Sequence, residues 1–156
     1  MTTAPALSWN RVLTQALVAG ITGAVLIDAY LWLTTLLPAH QSIIGLWQFV
    51  ASAAIGKVAF TSSSYAWLGL LIHIIVSIAW AGGYAYLAMT RPFMNERWPV
   101  SGIAYGIIVY IFMQVLLLGA GAFTFPPTPN DFVNILIAHS VFYGLPVAFV
   151  VSRMRR

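Results

Sequence analysis

Four side chains in this sequence could do chemistry and sit where chemistry is costly to keep. Asp28, His73, Gln114 and His139 each interrupt a long apolar stretch. A charged group in hydrocarbon costs about 2.5–3.5 kcal/mol on insertion scales, so it normally comes with a partner or a task. Three chemistries suit this set. Asp28 with His73 or His139 could relay or sense protons, since imidazole changes charge between about pH 5 and 8. Asp28, His73 and His139 could hold a divalent metal such as zinc, with each ligand supplied by a different helix. The two histidines could also ligate haem b from opposite sides.

The elements that must position these groups follow from composition. Hydrophobic residues are 61% of the 156 positions and charged residues 6%. Soluble domains carry about 25% charged residues, so lipid is the expected solvent. There is no cysteine, which excludes disulfides and thiolate chemistry. The net charge of +4 does not indicate nucleic acid, because the basic residues sit at the ends of apolar runs and accompany no nucleic-acid motif. GxSxG, P-loop, Gly-rich dinucleotide and HExxH patterns are also missing. Any enzyme activity would have to lie inside the bundle, and a non-enzymatic role is the leading expectation.

Crossing a bilayer takes about 20 apolar residues. Four runs qualify, at about 11–37, 65–90, 98–122 and 131–152, bounded by Pro38, Arg91-Pro92, Trp98-Pro99 and the 123–130 loop. The first run is too long for a signal-peptide core and is expected to remain as a span. The expected fold is all-α, one integral membrane domain built as a four-helix bundle. Residues 41–60 are apolar but contain Gln48, Ser52 and Lys57, and read as a helix lying on or dipping into the outer side. A fifth span is the competing reading of that segment. Arg11, Arg91, Arg97, Arg153, Arg155 and Arg156 share one side in the four-span arrangement, with Lys57 opposite. Basic flanks favour the cytoplasm, so both termini are expected there. Trp47, Trp67 and Trp98 read as interfacial anchors.

Spans running in opposite directions then bring the polar groups to one level. His73 and His139 each lie about eight residues into their spans, or ~12 Å at 1.5 Å per residue. Asp28 and Gln114 lie about as far from the outer ends of theirs. One helical turn away, Tyr110 accompanies Gln114, Tyr143 accompanies His139, and Trp32 accompanies Asp28; Ser77, Trp80 and Tyr84 continue the His73 face. The expected site is an aromatic-lined polar pocket of Asp28, His73, Gln114, His139, Trp80, Tyr110 and Tyr143, facing the outer side. Purely structural hydrogen bonding by the same residues is the plainer alternative. His40 reads as a solvated loop residue, and the loop holding Pro126-Pro127 as a stiff connector. Gly102 with Gly106, Ala19-Gly20 with Gly23-Ala24, and Ala79 with Gly83 read as helix-packing faces, with homodimerisation as a further use.

Residues 67–88 (WLGLLIHIIVSIAWAGGYAYLA), Tyr105-Gly106, Pro126-Pro127 and residues 138–144 (AHSVFYG) together resemble the YagU-like family of small bacterial inner-membrane proteins. The resemblance covers roughly the last 90 residues, including His73 and His139, and implies a bacterial inner-membrane location. It implies no particular reaction. The functional expectation is therefore a membrane protein whose pocket binds protons, a metal ion or a small ligand for transport or sensing. The alternatives are an accessory subunit of a larger membrane complex, and a haem- or metal-dependent enzyme.

Overall fold

A computed structural model describes residues 8–121 and 129–154. The elements are α1 (Trp9–Leu31), continued by a π segment (Trp32–Leu36); α2 (Ile43–Ile55), continued by a 3₁₀ turn (Gly56–Phe60); α3 (Tyr65–Thr90); the short α4 (Phe93–Glu96); α5 (Trp98–Gly119); α6 (Pro129–Ile137), a second π segment (Ala138–Gly144) and α7 (Leu145–Arg153). Among the described residues, five helical stretches are long and apolar enough to cross a membrane: Trp9–Leu36, Ile43–Phe60, Tyr65–Thr90, Trp98–Gly119 and Asp131–Arg153. The all-helical expectation holds. The count of four does not follow from length and apolarity alone, because Ile43–Phe60 also qualifies.

The packing is inverted relative to a water-soluble bundle. Small residues fill the interior: Ala16, Ala19, Ala24, Ala81, Ala85, Ala138 and Ala148 are buried. Leu13, Leu17, Ile21, Val25, Ile108, Ile111 and Val115 point outward. Lipid tails are as apolar as leucine, so helices gain by close backbone approach rather than by hiding large side chains. α1 lies along α3 and also touches the second π segment and α7, while α5 packs on those same two elements. α5 and the terminal helix cross closely. A Cβ on Gly106 would stand 2.3 Å from the His139 carbonyl oxygen, and one on Gly144 2.3 Å from the Gly102 oxygen. The Gly102–Gly106 pair is thus used inside the bundle. Ala79 lies exposed on α3, whereas a Cβ on Gly83 would stand 2.9 Å from the Tyr105 hydroxyl of α5.

Each π segment precedes a proline. Pro38 and Pro146 have no N–H to offer the carbonyls of Thr34 and Phe142 four residues back, and their rings would collide with those carbonyls in an α-helix. The chain answers by widening to five-residue bonds, with Leu37 N–H to Trp32 O at 2.8 Å and Leu145 N–H to Ser140 O.

α2 stands apart from the bundle and packs on α3. Its α-helical part is 13 residues, about 20 Å at 1.5 Å per residue. It ends where Gly56 adopts φ +63°, a conformation that suits glycine. The Gln48 side-chain amide then clips the returning chain, donating to Ala59 O at 3.1 Å and Ser62 O at 3.0 Å. The contact with α3 is backbone on backbone, since a Cβ on Gly69 would lie 1.7 Å from Trp47 O. His40 sits exposed in the turn before α2. Most of the 123–130 loop, with Pro126-Pro127, and the terminal Arg155 and Arg156 lie outside the described residues.

Candidate functional site

Two of the expected residues meet directly. Nε2 of His73 on α3 lies 3.3 Å from Oδ1 of Asp28 on α1. That distance makes an ion pair when the imidazole is charged, but Nε2 has no aligned hydrogen bond there. The other carboxylate oxygen is held by a residue from outside the bundle: Trp47 Nε1 donates to Asp28 Oδ2 at 3.1 Å. The two members of the pair remain 19% and 18% exposed at the side chain, so the site is not sealed. Three helices therefore converge on one carboxylate.

Behind His73 lies a cavity of about 40 Å³. Its polar lining is His73, Ser77, Trp80, His139 and Tyr143, with aliphatic residues completing the wall. Tyr143 donates to the Ser77 carbonyl at 2.6 Å, tying the terminal helix to α3. Tyr105 donates to the Trp80 carbonyl at 2.6 Å and does the same from α5. His139 Nδ1 is 2.9 Å from the Ile135 carbonyl oxygen. A carbonyl can only accept, so Nδ1 carries the proton and the neutral ring keeps its lone pair on Nε2. Beyond His139, the Tyr110 ring packs against the imidazole with centroids 5.6 Å apart. Gln114 donates to the Tyr110 hydroxyl at 3.3 Å.

The expected residues therefore form a file across the bundle rather than a single shell. Asp28 and His73 pair, His73 and His139 share a cavity, and His139, Tyr110 and Gln114 follow on its far side. Two expectations are corrected by this order. Asp28, His73 and His139 are not gathered as a metal triad, since His73 pairs with Asp28 and His139 meets it only across the cavity. Among the described residues no group of three or more His, Cys, Asp or Glu is placed to hold a metal ion. Haem does not fit either, since a cavity of about 40 Å³ holds only a few waters. Trp32, expected beside Asp28, is 43% exposed and faces away. Tyr84 is fully buried but donates to Met94 O at 3.3 Å, away from the pair.

Trp47 is also corrected, from an interfacial anchor to a partner of Asp28. Two further polar groups escaped the sequence reading. Asn134 joins α6 to the end of α1, accepting from Tyr30 at 2.7 Å and donating to Thr35 at 2.6 Å. Gln15 is 1% exposed and reaches Val151 O at 3.5 Å, with its own Oε1 unpaired. A polar side chain within an otherwise apolar run was the available signal for both.

Compared with family models, curated proteins and solved structures, the chain matches none of them.

Proposed function

We propose that this is a small bacterial inner-membrane protein whose polar file binds protons, for transport or for sensing. The observation that carries the reading is the contact of Asp28 with His73 at 3.3 Å, steadied by Trp47 and opening onto the cavity that His139 shares. A carboxylate and an imidazole in contact trade one proton between two chemically different sites, and imidazole does so in the physiological range. A cavity this small favours protons over an organic ligand.

The reading places four spans in the membrane, at about 11–37, 65–90, 98–122 and 131–152, with both termini cytoplasmic. α2 then lies at the outer side as a partial helix, since about 20 Å is short of the ~30 Å hydrocarbon core. The basic residues gathered beyond the other ends support that orientation. The resemblance of the last 90 residues to YagU-like proteins supports the location.

Acid-minus-neutral difference infrared spectra of the protein in nanodiscs test the proposal. Carboxyl and imidazole bands are expected in the wild type. The carboxyl band should vanish in Asp28→Asn and the coupled imidazole band in His73→Gln. Identical spectra for wild type and both variants would refute proton binding at this pair.

A second reading, an accessory subunit or homodimer, draws on the exposed Ala79 of α3. Ala79→Cys should then give a disulfide-linked dimer or a crosslinked partner in native membranes. A pure monomer would end that reading.

A further inference from the structure

The cavity behind the Asp28–His73 pair is not used by the pair itself, and its walls suit one occupant. We infer that the cavity between His73 and His139 is a water site that carries a proton from one imidazole to the other, with Asp28 paired to His73 at its outer end. This rests on the reading of Asp28 and His73 as a proton-binding pair, and extends it to a second, inner acceptor.

The size is right for water and for little else. A water needs about 10–15 Å³ of such space, so about 40 Å³ admits one to three. The walls are also polar enough to hold it. The Tyr143 hydroxyl donates to the Ser77 carbonyl, which leaves its oxygen lone pairs to accept. Trp80, His73 and His139 also line the space and carry groups able to hydrogen-bond. A buried water typically makes about three hydrogen bonds, and this lining can supply them.

The hydrogen bonds fix which nitrogen of His139 can accept. His139 donates through Nδ1 to Ile135, so Nε2 is the basic nitrogen of its neutral ring. His73 Nε2 lies 3.3 Å from Asp28 Oδ1. The step is a relay with nothing else consumed: the His73 imidazolium releases one proton to water, and that water delivers one proton to His139 Nε2. His73 becomes neutral, His139 becomes the imidazolium, and the water is regenerated. The titratable groups facing this path are Asp28 from α1, Tyr110 from α5, and Tyr143 from the second π segment; α2 contributes the non-titrating Trp47.

The test uses the full chain in nanodiscs with labelled histidine, where His40, His73 and His139 are separable by substitution. Water-to-ring cross-peaks are measured by NMR, and acid-minus-neutral infrared bands in parallel. The wild type should show water contact at His139 and an acid response from His73 and His139. Val109→Ile adds one methylene to the cavity wall and should abolish the water contact and the His139 acid response. The Asp28 and His73 bands should survive in that variant. Val76→Leu fills the same space if Val109→Ile does not fold. A wild-type His139 without water contact would overturn the inference, as would a His139 acid response that persists in a filled cavity. Loss of the Asp28 and His73 bands from the wild type would instead sink the pair reading, while the water contact is still scored independently.

Discussion

Substituting Gly69 by alanine should detach Trp47 from Asp28 without touching either residue. The added Cβ would stand 1.7 Å from Trp47 O, 2.6 Å from Trp47 C and 3.1 Å from Ala51 N. All three neighbours are backbone, so no side chain can swing aside. Ordinary contact between such atoms begins near 3.4 Å, and α2 must therefore retreat from α3 by about 1.7 Å. The Trp47–Asp28 bond at 3.1 Å would be stretched past hydrogen-bonding range. Overpacking costs about 1–3 kcal/mol, and a hydrogen bond within a membrane protein contributes about 0.6–1.7 kcal/mol. The expected loss is about 2–4 kcal/mol, reduced slightly by alanine's better helix propensity. Unfolding by SDS from dodecyl maltoside micelles, followed by circular dichroism, measures it. The indole N–H resonance of Trp47, assigned with Trp47→Phe, reports the broken bond. Gly45→Ala, on α2, is the control, because a Cβ there meets nothing within 4 Å. If Gly69→Ala unfolds within about 0.5 kcal/mol of wild type and the indole signal stays put, α2 does not dock on Gly69 and the geometry argument fails.

Three further outcomes are expected. Gly106→Ala places a methyl group 2.3 Å from His139 O and 2.6 Å from Ser140 Cα, and should cut the yield of folded protein severely, as scored by size-exclusion chromatography. Pro146→Ala restores an N–H for the Phe142 carbonyl and should convert the second π segment to α-helix, turning His139 by up to ~100° about the axis; loss of the Tyr110 ring-current shift at His139 would show it. Cysteines introduced into this cysteine-free chain at Ser63 and Glu96, both exposed, should respond oppositely to an impermeant maleimide in spheroplasts. Ser63→Cys is expected to label and Glu96→Cys only after permeabilisation, with the reverse result arguing against the proposed orientation.

The helices were legible because membranes simplify the problem. Every backbone polar group must be satisfied within the lipid, so apolar length plus proline and charge punctuation locates the spans. The similar depth of Asp28 and His73 was legible for a related reason: depth can be counted along helices of fixed rise. Rotation cannot be counted that way. Gln114 turns to Tyr110, and His139 reaches the pair only across a cavity, because glycine crossings at Gly102, Gly106 and Gly144 set the azimuth of both helices. Trp47 was misread since its role depends on α2 crossing α3 at Gly69, a tertiary event with no local periodic signature. The π segments had a visible cause in Pro38 and Pro146, but the same residues also read as a helix end or a kink.

The bundle's inside-out arrangement also shapes how such a sequence can drift. Bulky aliphatic positions facing the bilayer accept almost any greasy substitute, so they carry little memory of ancestry. The glycines and alanines at the crossings accept almost nothing larger. Kinship among chains of this kind should therefore be written in the rhythm of their smallest residues, spread thinly between long interchangeable stretches.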